Sequence, residues 1–127
     1  MDETNKSDTP RHFTDLKVWK DAHDLYLLAL KDVENFPNSK GAYNLIDQLL
    51  RSIGSISANI AEGFNRRSTK HYISYLDNSV GSTNEAENWY YKVEGMKWQT
   101  KDMVEERLKK LEEIRRMLFG LIRKLSS

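Results

Sequence analysis

Between residues 41 and 70 the chain reads GAYNLIDQLLRSIGSISANIAEGFNRRSTK. Ala42, Ile46, Leu49, Ile53, Ile56 and Ile60 recur at alternating steps of four and three, a spacing that keeps one seam of an α-helix against a neighbour along its whole length. One residue earlier on the helical wheel runs a second stripe, Gln48, Ser52, Ser55, Asn59 and Glu62, small or polar, with Gly54 and Ala58 beside it. Such a helix is expected to lie between an apolar partner and a close, hydrogen-bonded one. Gly63, at the end of the periodic run, is expected to cap it, and a basic loop from Asn65 to Lys70 leads onward.

The same periodicity predicts three further helices. Upstream, Leu16, Trp19, His23, Tyr26, Leu30 and Val33 form one seam, and Val18, Ala22, Leu25 and Ala29 another beside it, with Thr14 as the expected N-cap. The run Phe36-Pro37-Asn38-Ser39-Lys40-Gly41 breaks that helix and turns the chain. Downstream, Ser68 or Thr69 caps a third helix extending to about Trp98, with the seam Tyr72, Leu76, Ser79, Thr83, Ala86, Tyr90 and Val93. The small middle of that seam suits the small stripe of the second helix. A further row, Tyr75, Ser82, Trp89 and Met96, stands on another side. Thr100 caps a fourth helix, whose seam is Val104, Leu108, Leu111, Ile114, Leu118, Leu121 and Leu125. Four helices of roughly 20 residues, each about 30 Å long and joined by short turns, predict an all-α, antiparallel, up-down-up-down four-helix bundle. It spans residues 13–127; residues 1–12 have no periodicity and are expected to form a disordered arm.

Composition narrows the picture. The 127 residues include no cysteine, which excludes disulfides and thiolate metal sites, and only two prolines, both outside the periodic segments. Nothing approaches the ~20 consecutive apolar residues of a membrane span, and the polar amino terminus lacks the apolar core of a secretion signal. A cytoplasmic protein away from membranes is expected. The formal net charge of +1 hides alternating segments: residues 1–50 carry −3, 51–70 carry +3, 71–91 carry −3 and 92–127 carry +4. Any affinity for phosphate therefore has to be concentrated in patches.

Catalytic patterns are missing. A carboxylate-bridged metal site in a bundle needs Glu-x-x-His pairs on facing helices, and no such pair occurs; glycine-rich phosphate loops and nucleophile elbows are likewise absent. The three histidines, His12, His23 and His71, are scattered, and His23, on an apolar seam, is expected to be a hydrogen-bonded core residue. No metal, no cofactor and no enzymatic activity are expected. On the fourth helix, Glu105 with Lys109, Glu106 with Lys110 and Glu112 with Arg116 are spaced to neutralise one another. That leaves Arg115, Arg123 and Lys124, with Lys92, Lys97 and Lys101 near the preceding turn, as a possible phosphate-facing rim. The stronger candidate is the loop, where Arg66, Arg67 and Lys70 stand within five residues beside the amino terminus of the third helix. Gln48, Arg51, Ser55, Asn59 and Glu62, facing Glu85 or Asn88, are expected to form a structural polar network that fixes register, and a ligand site only second.

The motifs resemble a known family. Phe13-x-x-Leu16-x-Val18-Trp19-x-x-Ala22, the Phe36-Pro37 turn, Leu45-x-x-Gln48-x-x-Arg51, Ser55-Ile56-x-x-Asn59-Ile60-Ala61-Glu62-Gly63 and Gly81-Ser82-x-x-Glu85 together are similar to the four-helix-bundle proteins encoded in intervening sequences of bacterial 23S ribosomal RNA genes. Ser39 and Lys40, Ser57 and Ala86 depart from the pattern. The resemblance implies a ring-like homo-oligomer, a homopentamer around a central channel, and kinship with the accessory variability proteins of diversity-generating retroelements, which bind a reverse transcriptase and its template RNA. The expected function is a non-enzymatic homo-oligomeric bundle that binds nucleic acid, RNA before DNA, through Arg66, Arg67, Lys70, Arg123 and Lys124. The alternatives are an accessory subunit docking on a reverse transcriptase, and a protein scaffold without nucleic-acid contact.

Overall fold

The computed structural model describes residues 9–65 and 68–127. Residues 1–8 of the expected arm, and Arg66 and Arg67 of the basic loop, lie outside the described residues. Four long helices follow a single 3₁₀ turn at Phe13–Asp15: α1 (Lys17–Val33), α2 (Lys40–Phe64), α3 (Thr69–Gly95) and α4 (Lys101–Ser126). There is no strand among the described residues. Each helix packs on its neighbours in the chain and α1 also meets α4, so the four enclose one core as a bundle, with α2 and α3 in the most extensive contact.

The core follows the periodicity. On α2, Ala42, Leu49, Ile53, Ile56 and Ile60 are buried, and on α3 the buried set is Leu76, Ser79, Thr83, Ala86, Tyr90 and Val93. On α1 the inner seam is Val18, Ala22, Leu25 and Ala29; the row containing Trp19, Tyr26 and Leu30 is half-buried or exposed. His23 is exposed, its ring stacked on Trp19 at 4.7 Å, and is not the core histidine expected. A π-face on a neighbouring indole, rather than a buried partner, accounts for its place in the apolar row.

The helix ends show which local signals acted. Ser39, Ser68 and Thr100 cap α2, α3 and α4, each accepting a hydrogen bond from the backbone N–H three residues on. Thr14 does not cap α1. His12 and Asp15 instead close a capping box around the 3₁₀ turn, and Leu16, at the N-cap of α1, makes no side-chain cap. The Asp15 carboxylate accepts from the backbone N–H of Arg11 and His12 at 3.0 and 3.1 Å, and those two bonds hold its carboxyl below the usual carboxylate range.

Gly63 is not a cap either. No glycine has positive φ, and α2 runs on to Phe64 before Asn65 ends it at φ −100°. A Cβ on Gly63 would stand 2.7 Å from the Tyr75 Cβ and 3.2 Å from Tyr72 Cδ1. Glycine is needed there so that α3 can approach. The left-handed position falls elsewhere, at Lys97 (φ 62°) after α3, where Lys97 N–H bonds the Glu94 carbonyl and Trp98 N–H bonds the Val93 carbonyl. Those two bonds form a Schellman motif with lysine in the place glycine usually takes.

Candidate nucleic-acid interface

Of the expected phosphate contacts, Lys70, Arg123 and Lys124 lie at helix ends, and Arg66 and Arg67 fall outside the described residues. Lys70 is in the first turn of α3, exposed, directly after Thr69. Ser68 Oγ already accepts one of that helix's initial N–H groups, from His71 at 3.4 Å, which leaves less of the terminus for an anion. Arg123 and Lys124 occupy the last turn of α4 and are exposed. Lys70, Arg123 and Lys124 make no ion pair with any described residue.

The other cations of α4 are engaged. Arg116 pairs with Glu112 at 2.9 Å, and Arg115 crosses to α3, donating to Asn84 Oδ1 at 2.9 Å and pairing with Glu87 at 3.4 Å. Glu106 turns to Arg107 rather than to Lys110, and among the described residues no ion pair joins Glu105 to Lys109. Of the three self-neutralising pairs expected, only Glu112–Arg116 forms. Among the described residues Lys109 and Lys110 are thus open on α4, with Glu105 open beside them, while Arg115 is not.

The polar stripe of α2 is satisfied locally. Ser52 Oγ donates to the Leu49 carbonyl at 2.9 Å, Ser55 Oγ to the Arg51 carbonyl at 2.9 Å and Asn59 Nδ2 to the Ser55 carbonyl at 2.8 Å. Arg51 pairs with Asp47 one turn away at 3.0 Å. Glu85 accepts from Trp89 Nε1 on its own helix at 3.3 Å, and Gln48 lines a groove with Leu45, Trp89 and Met96. One hydrogen bond that crosses between α2 and α3 comes from Ser79, whose Oγ donates to the Ile56 carbonyl at 2.9 Å.

A buried polar cluster lies elsewhere. Asp32 of α1 accepts from Arg107 Nε at 2.8 Å and Arg107 Nη2 at 2.9 Å, a two-pronged pair, and also from Tyr90 Oη at 2.8 Å. The side chains of Arg107 and Asp32 retain only 7% and 4% of their exposure. Burial first, and the Asp32 charge second, push the Tyr90 hydroxyl far above its ordinary value, so it stays protonated and donates. The hydrogen bond to Asp32 raises Arg107 against the opposing effect of burial. The cluster ties α1, α3 and α4 together. Its sequence signal is positional: Asp32 continues the Val18, Ala22, Leu25, Ala29 row, and Arg107 sits on the row of Val104, Leu111, Ile114 and Leu118.

Beside Asp32 opens a cavity of about 640 Å³, lined by Asn35, Glu94, Lys97, Trp98, Gln99, Thr100, Lys101 and Met103. Trp98 packs against Phe36 with ring centroids 5.4 Å apart. No group of three or more histidine and acidic residues placed to hold a metal occurs among the described residues, and no helix there is long and apolar enough to cross a membrane.

Two comparisons place this architecture among known proteins. A family model described as 23S rRNA-intervening sequence protein matches residues 14–120. A solved structure from Bacteroides thetaiotaomicron, a protein of unknown function from the S23 ribosomal protein family, is similar with a TM-score of 0.77 and 24% identity, covering 83% of this chain and 97% of that one. At that identity the likeness speaks to the fold. No curated protein matches the chain.

Proposed function

Because the chain belongs to the 23S rRNA-intervening sequence protein family, we propose that it is a non-enzymatic, homo-oligomeric helical bundle that binds nucleic acid, structured RNA above all. The observation that carries this is where Lys70, Arg123 and Lys124 stand: at helix ends, exposed and without an acidic partner among the described residues, whereas Arg107, Arg115 and Arg116 are taken up by acids. Unpaired cations at helix ends bind phosphate without reading sequence.

In this proposal the helices alternate in direction, up-down-up-down. Contact order supports it: Lys17 lies by Met117 and Asp32 by Arg107, while Gly63 lies by Tyr75 and Ile56 by Ser79. Alternation puts the start of α3 and the end of α4 at one end of the bundle, so Lys70, Arg123 and Lys124 act as one basic rim, to which the sequence adds the charges of Arg66 and Arg67. Exposed apolar residues on α1 (Leu27 and Leu30) and α3 (Tyr91), with Met96 just beyond it, support self-association, and a homopentameric ring would repeat the rim around an axis. Repetition multiplies weak phosphate contacts.

Titration of fluorescently labelled structured RNA against the wild-type chain and against Arg66→Ala/Arg67→Ala at low salt tests the rim. The variant is expected to bind about tenfold or more weakly, with little sequence preference in either protein. Equal affinity removes the loop from the interface.

A further inference from the structure

The wall of the cavity beside Asp32 carries an unexplained group. Both amide atoms of Gln99 are closed off from solvent and have no hydrogen-bond partner, and Gln99 lines the cavity. A buried amide without partners is costly. It also has nothing to lose by turning: rotation toward the cavity breaks no hydrogen bond and offers one donor and one acceptor side by side to an incoming edge.

We propose that this cavity binds an unpaired nucleotide, with the Gln99 amide meeting the base edge, the Trp98 indole beside the base and Lys97 and Lys101 receiving the phosphate. The proposal rests on the nucleic-acid function above and adds to it a second contact, at the end of the bundle away from the basic rim. An adjacent donor and acceptor match the edge of a nucleobase, the pairing that Asn and Gln make with bases in general, and Trp98 adds an aromatic face of the kind on which bases stack. About 640 Å³ falls within the range of small-molecule sites. Asp32, the acid deepest in the wall, is neutralised by Arg107, so among the lining residues Lys97 and Lys101 outweigh Glu94. Thr100 Oγ1 already accepts the Met103 N–H at the start of α4, and Asp102 stands in that first turn, so the phosphate contact falls to the two lysines rather than to the helix terminus. Lys97 holds its position in a left-handed conformation that costs a non-glycine residue energy.

The site takes its ligand either as a free nucleotide or as a single unpaired residue of an RNA. Calorimetric titration of the full chain with ribonucleoside 5′-monophosphates, with the matching nucleosides and with a single-stranded oligoribonucleotide separates these sources. A monophosphate is expected to bind, and Gln99→Leu to weaken it about tenfold or more while melting no lower than wild type. Lys97→Gly with Lys101→Ala should weaken the monophosphate and leave the nucleoside unchanged. Loss of oligoribonucleotide affinity in Gln99→Leu as well assigns the cavity to RNA; loss of the monophosphate alone assigns it to free nucleotide. Absence of heat with every nucleotide, or a Gln99→Leu variant that binds them all like wild type, overturns the proposal. If labelled structured RNA still binds at the basic rim in that case, the broader function survives without the cavity.

Discussion

Among individual residues, the decisive arrangement is the one between Asp32 and Arg107, two charges buried together and sharing Tyr90. Removing one member strands the other in the core. Arg107→Leu is therefore expected to lose about 3–5 kcal/mol in urea unfolding, whereas Asp32→Leu/Arg107→Leu should recover most of that loss, because a matched apolar pair no longer carries a desolvation cost. A double variant as unstable as the single one would contradict this. Both residues occupy inward rows, so their burial was legible; that they find each other was not, because they stand 75 residues apart. Asp15 offers a pH signature. The N–H groups of Arg11 and His12 hold its carboxyl below the ordinary carboxylate range, so the turn it closes is fully supported above that range and loosens as pH falls through the lowered value. Amide protons of Arg11 and His12 followed by NMR should lose their shifted positions only below that range, and Asp15→Asn should abolish the transition.

For whole helices, the contact between α2 and α3 shows how far periodicity reaches. The seam from Ala42 to Ile60 and its counterpart from Leu76 to Val93 are where a four-three spacing puts them, because burial repeats with the helix itself. What periodicity does not carry is why a residue is small. Gly63 terminates an apolar run, which is also how a left-handed cap reads, and only the 2.7 Å approach of the Tyr75 Cβ distinguishes the two roles. Gly63→Ala is expected to destabilise the bundle by about 1–3 kcal/mol through overpacking. Gly81, within α3 and with nothing near its missing Cβ, should respond oppositely: Gly81→Ala gains about 0.5–1 kcal/mol from helix propensity. Thermal melts of the two variants should move in opposite directions, and a shared direction would contradict the assignment. The polar stripe carries the same lesson. Serine and asparagine on a helix have their own backbone carbonyls within reach, and Ser55 and Asn59 take them, so their spacing alone did not reveal whether they would cross to α3.

For the molecule as a whole, helix number and turns were written in the sequence, and the charge pattern was read only in part. Glu and Lys four apart on α4 compete with other partners; Glu106 goes to Arg107, which leaves Lys110 open. The cavity at Gln99 had no signal in the sequence, since it arises where a turn meets two helix ends. The proposed self-association has its support in exposed Leu27 and Leu30: light scattering is expected to give a mass several times that of one chain, and Leu27→Glu/Leu30→Glu to lower it, whereas a monomeric wild type would remove the ring. The most direct test of the central claim is the salt dependence of structured-RNA affinity for the assembled protein. A linear fall of log affinity with log salt is expected, with a slope made shallower by about 2–3 in a Lys70→Ala/Arg123→Ala/Lys124→Ala variant. An assembled protein that binds no RNA at the lowest salt, or binds it with a slope those three substitutions leave unchanged, would contradict it.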